Sequence, residues 1–304
     1  MIKDSNTYQS RNGNPGPEGT RHMHILDGKR AVVIGAASGL GRSLATVLAR
    51  DGWTIGLVDI NDSGAKETLE IVGRAGGTGE VFHADVTVPE NIKAVADHFF
   101  DHWGGVDLLV NSAGVIVGGF VGDIPLEDWK WIFGVNFWGM MYGCHEFIPR
   151  MKAQKGGHIL NIASAAGLFS SPEIAPYNAT KAAIVALSEA LRVEVAPYNI
   201  GISVACPMFF KTNLLKTMRY ADDWEREMAE ACFKHSRMTC DEVARRVIAA
   251  VKKNKLYAVP QLSGRALWLI KRLAPEMNYT IFRFLNKHGL LRPVMMRLAR
   301  WGLL

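Results

Sequence analysis

The sequence predicts one α/β domain built on an open, doubly wound parallel sheet of about seven strands, followed by a helical extension. Three observations predict it. Short β-branched runs alternate with longer amphipathic stretches, the order of a parallel sheet whose crossover helices cover both faces. Apolar residues make up 48% of the 304, enough for a sizeable core. The segments are the right number for one such sheet and not for two domains, and no repeat of solenoid period is present.

Residues 1 to 24 are polar and rich in Gly, Asn, Ser and Pro without apolar periodicity, so they read as a flexible leader, with order beginning near Ile25. Strands are expected at Ala31 to Gly35, Thr54 to Asp59, Glu80 to Ala84, Val106 to Asn111, His158 to Ala163, Gly201 to Cys206 and Tyr257 to Val259. Helices are expected at Leu40 to Asp51, Ser63 to Arg74, Pro89 to Trp103, Leu126 to Met151, Ala175 to Ala196 and Asp241 to Lys253. The catalytic domain thus spans residues 25 to 263. In residues 264 to 304, Ala266, Leu267, Leu269, Ile270 and Leu273 recur at helical spacing, and Pro275 and Pro293 are expected to break the extension into pieces.

The net charge of +6 is concentrated in that extension, which holds eight Lys or Arg and one acid, Glu276. The other residues carry 27 bases against 28 acids, which argues against a nucleic-acid-binding body. Cys144, Cys206, Cys232 and Cys240 show neither metal-ligand spacing nor a disulfide framework, so no metal is expected and a reducing, cytoplasmic compartment fits. No apolar run approaches the length of a membrane span, and no secretory signal is evident.

After the first strand comes Gly35-Ala36-Ala37-Ser38-Gly39-Leu40-Gly41, opening an alanine-rich helix. Glycines there allow a tight turn and let a pyrophosphate approach amides at a helix N-terminus, where the dipole favours anions. Asp59, eighteen residues beyond Gly41 at the second strand's end, can accept from ribose hydroxyls. A 2′-phosphate would meet like charge there, and neither Ser38 nor Ile60 is a base that could hold one. NAD is therefore favoured over NADP. Asp85-Val86 and Asn111-Ser112-Ala113-Gly114 follow the third and fourth strands, at the sheet edge where open α/β sheets bind ligands.

Tyr177 and Lys181 stand four apart on one face of an expected helix. An ammonium near a phenol stabilises phenolate, as a neutral-pH general base requires. Ser164 lies thirteen residues upstream of Tyr177, at the end of a strand.

With these residues in order, the sequence resembles the short-chain dehydrogenase/reductase family over about Leu26 to Pro260. Gly35, Gly39 and Gly41 match its glycine motif, Asp85 its adenine-side acid, and Asn111, Ala113 and Gly114 its Asn-Asn-Ala-Gly stretch. Asn136, Ser164, Tyr177 and Lys181 match its catalytic tetrad. The resemblance implies a Rossmann fold and hydride transfer with NAD, with Ser164 holding the substrate oxygen and Tyr177 exchanging its proton. It further implies that Lys181 bonds the nicotinamide ribose and tunes Tyr177, that Asn136 positions a water, and that Pro207 and Thr212 contact nicotinamide. The chain departs from the family at Ile34, Ser112 and Met208, where Thr, Asn and Gly are usual.

Apolar residues surround these groups, among them Leu168, Phe169, Met208 and Phe209, with Leu214, Leu215 and Met218 beyond. They suggest a bulky, weakly polar secondary alcohol or ketone, such as a steroid, terpenoid, aryl or long-chain type, or else core packing. An NADP-dependent carbonyl reductase and a non-catalytic nucleotide-binding scaffold are the alternatives, the second disfavoured by a complete tetrad. An epimerase or dehydratase on the same fold is a further alternative. Apolar bulk in Leu126 to Met151 suggests a homodimer or homotetramer. The basic, amphipathic extension is expected to cap the substrate cleft and rest on an anionic membrane surface, or to pack on its own subunit or a neighbour.

Overall fold

The computed structural model describes residues 28–211 and 217–303. The leader lies outside them, as do Thr212, Leu214 and Leu215.

Among the described residues the strands are β1 (Arg30–Ile34), β2 (Thr54–Asp59), β3 (Thr78–His83), β4 (Leu108–Asn111), β5 (Val117–Gly118), β6 (Gly157–Ile162), β7 (Ile200–Ala205), β8 (Arg219–Tyr220) and β9 (Tyr257–Ala258). Seven form one sheet in the order β3-β2-β1-β4-β6-β7-β9, every neighbour parallel, while β5 and β8 pair separately. The chain builds outward from β1 to β3 and then crosses to β4 on β1's other side, so its direction of growth reverses between β1 and β4. A crevice opens outside the strand ends at such a point.

The helices are α1 (Gly39–Ala49), α2 (Asp62–Arg74), α3 (Pro89–Trp103), α4 (Leu126–Phe133), α5 (Gly139–Ala153), α6 (Ala175–Glu194), α7 (Asp223–His235), α8 (Cys240–Lys252), α9 (Leu262–Leu273), α10 (Met277–Lys287) and α11 (Leu291–Arg300). Along β1, Ala31 and Val33 enter the core beside α1 and α8, whereas Val32 and Ile34 enter the core beside α3 and α5. Side chains alternate across a strand, and both faces are covered, which is why β1 reads as an unbroken apolar run.

Two expectations need correction. Leu126 to Met151 is not one α-helix, because a π-helical turn at Gly134–Trp138 separates α4 from α5. The wider turn carries Asn136, fully buried, whose amide bonds the backbone of Val115. In this segment Ile132, Met140, Phe147 and Met151 are buried, Trp129, Trp131, Phe133, Phe137 and Met141 are half-buried, and Leu126 and Trp138 are the large apolar side chains left exposed. Finally, Pro293 does not break the extension. It sits in the first turn of α11, where a missing N–H costs nothing. The break is made by Gly289, at φ +68°, just beyond α10.

The extension returns over the domain. Trp268 of α9 packs on Tyr257 with ring centroids 4.8 Å apart, and Lys271 donates to the Leu168 carbonyl at 2.8 Å. Leu291 and Ala299 of α11 are buried in the packing of α11 against α7.

Candidate active site

Chain geometry at the end of β1 requires glycine. Gly35 has φ +86°, and a Cβ there would lie 2.4 Å from the Ala113 nitrogen; one on Gly41 would lie 1.9 Å from the Gly35 carbonyl. The turn therefore lies against the segment after β4 and starts α1 directly above it. Ser38, at the N-cap of α1, makes no side-chain cap bond, and no acid stands in the first turn, so this helix end suits an anion.

Asp59 overhangs the turn from the end of β2. Its Oδ2 accepts from the Ala37 amide at 2.8 Å and its Oδ1 from the Asn61 amide at 3.0 Å, which fixes the carboxylate plane. Ile60, Asp85 and Val86 line the same cavity. Asp85 is held by Thr87, whose amide and hydroxyl donate to its Oδ1 at 2.8 and 2.7 Å. Arg42, which sequence reasoning missed, also lines this end. Its guanidinium is bound by both oxygens of Glu67, at 2.9 and 2.8 Å, and by the Thr68 hydroxyl at 3.0 Å. The signal was present in the sequence only as a base seven residues after Gly35, with no hint of its partner.

Further along the crevice, Ser164 follows β6 and caps a 3-10 turn, Ala165–Gly167, its Oγ accepting from the Ala166 amide at 3.2 Å. The same hydroxyl lies 3.5 Å from the Pro207 carbonyl, to which it donates. Tyr177 and Lys181 project from the first turns of α6, with Lys181 Nζ 5.6 Å from the Tyr177 ring centroid. Burial pushes the Tyr177 phenol up to about 12, opposed by a hydrogen bond with Ser164. Burial also brings the Lys181 amine down to about 8. The phenol thus rests protonated beside an amine poised to change charge near neutrality.

The cavity that joins these groups measures about 1260 Å³. Gly35, Ser38, Gly39, Leu40, Gly41, Ala113, Gly114 and Pro207 lie on its wall, with Phe169, Met208 and Phe209. Met208, in place of the family's glycine, lies against Gly264 of α9, where a Cβ would come within 3.0 Å of Met208 Cγ.

Three expected residues stand behind the wall. Leu168 is buried core, because the 3-10 turn points it inward while Phe169 faces the cavity. Asn111 is buried and donates to Asn161 Oδ1 at 2.9 Å, tying β4 to β6. Asn136 accepts from the Val115 amide at 2.8 Å and donates to the Val115 carbonyl at 2.9 Å, so its side chain braces the loop behind Gly114.

The far end of the cavity is built by α7 and the extension: Trp224, Glu225 and Met228, with Leu267, Tyr279, Phe282, Leu291, Arg292 and Met295. Helix α7 was missed, although Asp222 and Glu225 form a capping box legible as an acid followed three residues later by Glu. Arg292 joins α11 to this end, 3.0 Å from Glu173 and 3.2 Å from Asp222. Glu173 also accepts from the Trp224 indole at 2.6 Å. Burial raises the Glu225 carboxyl, whose closest cation is Arg292 at 3.7 Å. Among the described residues, no group of three or more His, Cys, Asp or Glu is placed to hold a metal ion.

A family model described as short chain dehydrogenase matches residues 29–223, which include the glycine turn, Asp59 and all four tetrad positions. The chain belongs to the short chain dehydrogenase family. Among its relatives, the oxidoreductase SadH of Mycobacterium tuberculosis is 31% identical over 255 residues, covering 83% of this chain and 92% of SadH. The oxidoreductase EphD of the same organism is 30% identical over 253 residues, 80% of this chain, which spans only 43% of EphD's length. Among solved structures, a short chain dehydrogenase/reductase from Burkholderia phymatum in complex with NAD is 29% identical with a TM-score of 0.79, covering 84% of this chain and 96% of that one.

Proposed function

We propose that the protein is an oxidoreductase that transfers a hydride between NAD(H) and an apolar secondary alcohol or ketone of steroid, terpenoid, aryl or long-chain type. One observation carries this reading: Ser164, Tyr177 and Lys181 open onto one cavity that begins at Asp59 and ends among aromatic and aliphatic side chains of α7 and the extension.

The cofactor end fits the dinucleotide. The uncapped start of α1 offers amides to a pyrophosphate, and Asp59 keeps acceptor capacity for ribose hydroxyls beyond its two backbone bonds. Arg42 would be the base to receive a 2′-phosphate, but Glu67 already neutralises it, which supports NAD over NADP. The B. phymatum relative solved with NAD supports the same choice. When bound, the nicotinamide supplies the hydride donor or acceptor.

The protein's own groups handle the proton and the developing charge. Ser164 Oγ donates to the substrate oxygen, which fixes the carbonyl and stabilises negative charge on it. In reduction Tyr177 gives its phenolic proton to that oxygen as the carbon takes the hydride; in oxidation the phenolate takes the proton back. Lys181, as an ammonium, stabilises the phenolate. Asn136 holds Val115 and Gly114 in place beside Lys181.

A panel of apolar alcohols and ketones assayed with NAD(H) and NADP(H) by nicotinamide absorbance tests the reading. Turnover of bulky apolar members with NAD(H) is expected. Turnover confined to small polar substrates, or a preference for NADP(H), would overturn the corresponding half of it.

A further inference from the structure

We infer that α9 and α10 seat the protein on an anionic lipid surface, through the faces they turn away from the cavity. On α9, Leu262, Ala266, Leu269 and Leu273 recur at intervals of four, three and four residues, and Leu262, Leu269 and Leu273 are 75%, 57% and 77% exposed. On α10, Met277, Ile281 and Phe284 recur at four and three, and are 47%, 48% and 59% exposed. Each set is one stripe along its helix. Other residues of the same helices, Leu267 on α9 and Phe282 on α10, line the cavity. Both helices are therefore apolar on two sides, one closing the cavity and one bare.

The charge beside the stripes identifies what covers them. At about 100° per residue, Arg265 and Arg272 fall on one flank of the α9 stripe, and Arg283 and Lys287 on the corresponding flank of the α10 stripe. All four are exposed. Glu276 is the sole acid in residues 264 to 304. A second copy of the chain laid on this face would bring the same excess of bases and, from residues 264 to 304, only Glu276 to pair with them, so it offers little complementary charge. A leaflet rich in anionic lipid pairs the bases with headgroups and takes the stripes into the acyl boundary, the arrangement of an interfacial helix. None of the described helices is long and apolar enough to cross a membrane, so contact would be with one leaflet.

Sedimentation with vesicles tests this without reference to turnover. The full chain should pellet with phosphatidylcholine vesicles containing a third phosphatidylglycerol, stay in solution with phosphatidylcholine alone, and be released by salt. A base near an anionic surface contributes about fivefold in partitioning, so Arg283→Gln with Lys287→Gln should weaken binding about 25-fold. Ile281→Asp with Phe284→Asp should abolish it while melting as the parent does, since both positions are exposed. Failure of the parent to pellet, or equal pelleting by the variants, overturns the inference. So does a lipid-free light-scattering mass that falls by half in the Ile281→Asp, Phe284→Asp variant, which would make the face a contact between two copies.

Discussion

Lys181 Nζ donates to the carbonyl of Ile162 at 2.9 Å. Ile162 ends β6, and Ser164 lies two residues further on, so the amine is anchored to the strand that presents the serine. The bond holds the amine in a buried place that lowers it to about 8, against an ordinary value of 10.5. Between these values the unfolded chain carries a proton that the folded chain has lost. The group's contribution to stability is thus complete above about 10.5 and is lost as pH falls through about 8, an effect of order 3 kcal/mol. Lys181→Met lacks this dependence. The Tm of the parent relative to Lys181→Met should rise between pH 7 and pH 10, as read by calorimetry; a constant difference would contradict the lowered amine.

Tyr177 is held protonated by burial, at about 12, with Ser164 as its opposing partner. Reduction therefore starts from a loaded donor, while oxidation first needs the proton removed. Oxidation kcat/KM should climb with pH through the alkaline range while reduction stays level or falls. Tyr177→Phe should lower turnover about 10²- to 10⁴-fold, the range of a general acid, and leave cofactor affinity within a few fold by NADH fluorescence titration. Near-parental turnover in the variant would remove Tyr177 from the proton path.

Asp59 and Glu67 act at the same end by different means. Asp59→Ala removes the ribose acceptor and should cut the NAD to NADP ratio of kcat/KM at least tenfold. Glu67→Gln alone should do less, because Asp59 still repels a 2′-phosphate, whereas the double variant frees Arg42 to meet one. Ratios from matched initial-rate assays decide this, and additive single effects would show that Arg42 does not take part.

Arg292→Met removes the cation that links α11 to Glu173 and Asp222 and leaves Glu225 without its nearest positive charge. Loss of one member of a partly buried ion cluster costs about 1 to 3 kcal/mol. The expected kinetic result is a raised KM for bulky substrates with kcat kept within a few fold, because Arg292 is bonded to Glu173 and Asp222 and to none of the side chains that handle the proton. A fall in kcat at unchanged KM would place Arg292 in the chemistry.

What the sequence disclosed depended on whether a signal was local. Helix α3 was legible at both ends, since Pro89 opens it and Gly104, at φ +68°, closes it. Strand β2 and the glycine turn were legible for the same reason. Helix α7 carried a capping box that went unused, and its Trp224 and Glu225 were missed with it. Leu168 and Phe169 could not be told apart, because a single 3-10 turn has no periodicity to say which side chain faces inward. Arg42 shows the deeper limit: its meaning depends on Glu67, twenty-five residues away, and only the folded geometry brings the two together. The far end of the cavity was legible only in outline: the sequence led one to expect the extension over the cleft, but not α7, nor which side chains of α9, α10 and α11 enter the cavity.

The cavity is assembled from two stretches of chain with different duties. Ser164, Tyr177 and Lys181 come from the sheet edge and α6, where Lys181 is bonded to a core strand and any shift is felt by the whole domain. Leu267, Phe282, Leu291 and Met295 come from a later stretch that contributes no strand. Inheritance can therefore act on the two separately. The codons for those four cavity-facing side chains can drift toward a larger, smaller or differently shaped guest while the reacting groups keep their places, so descendants of one ancestor could share a chemistry and diverge in diet.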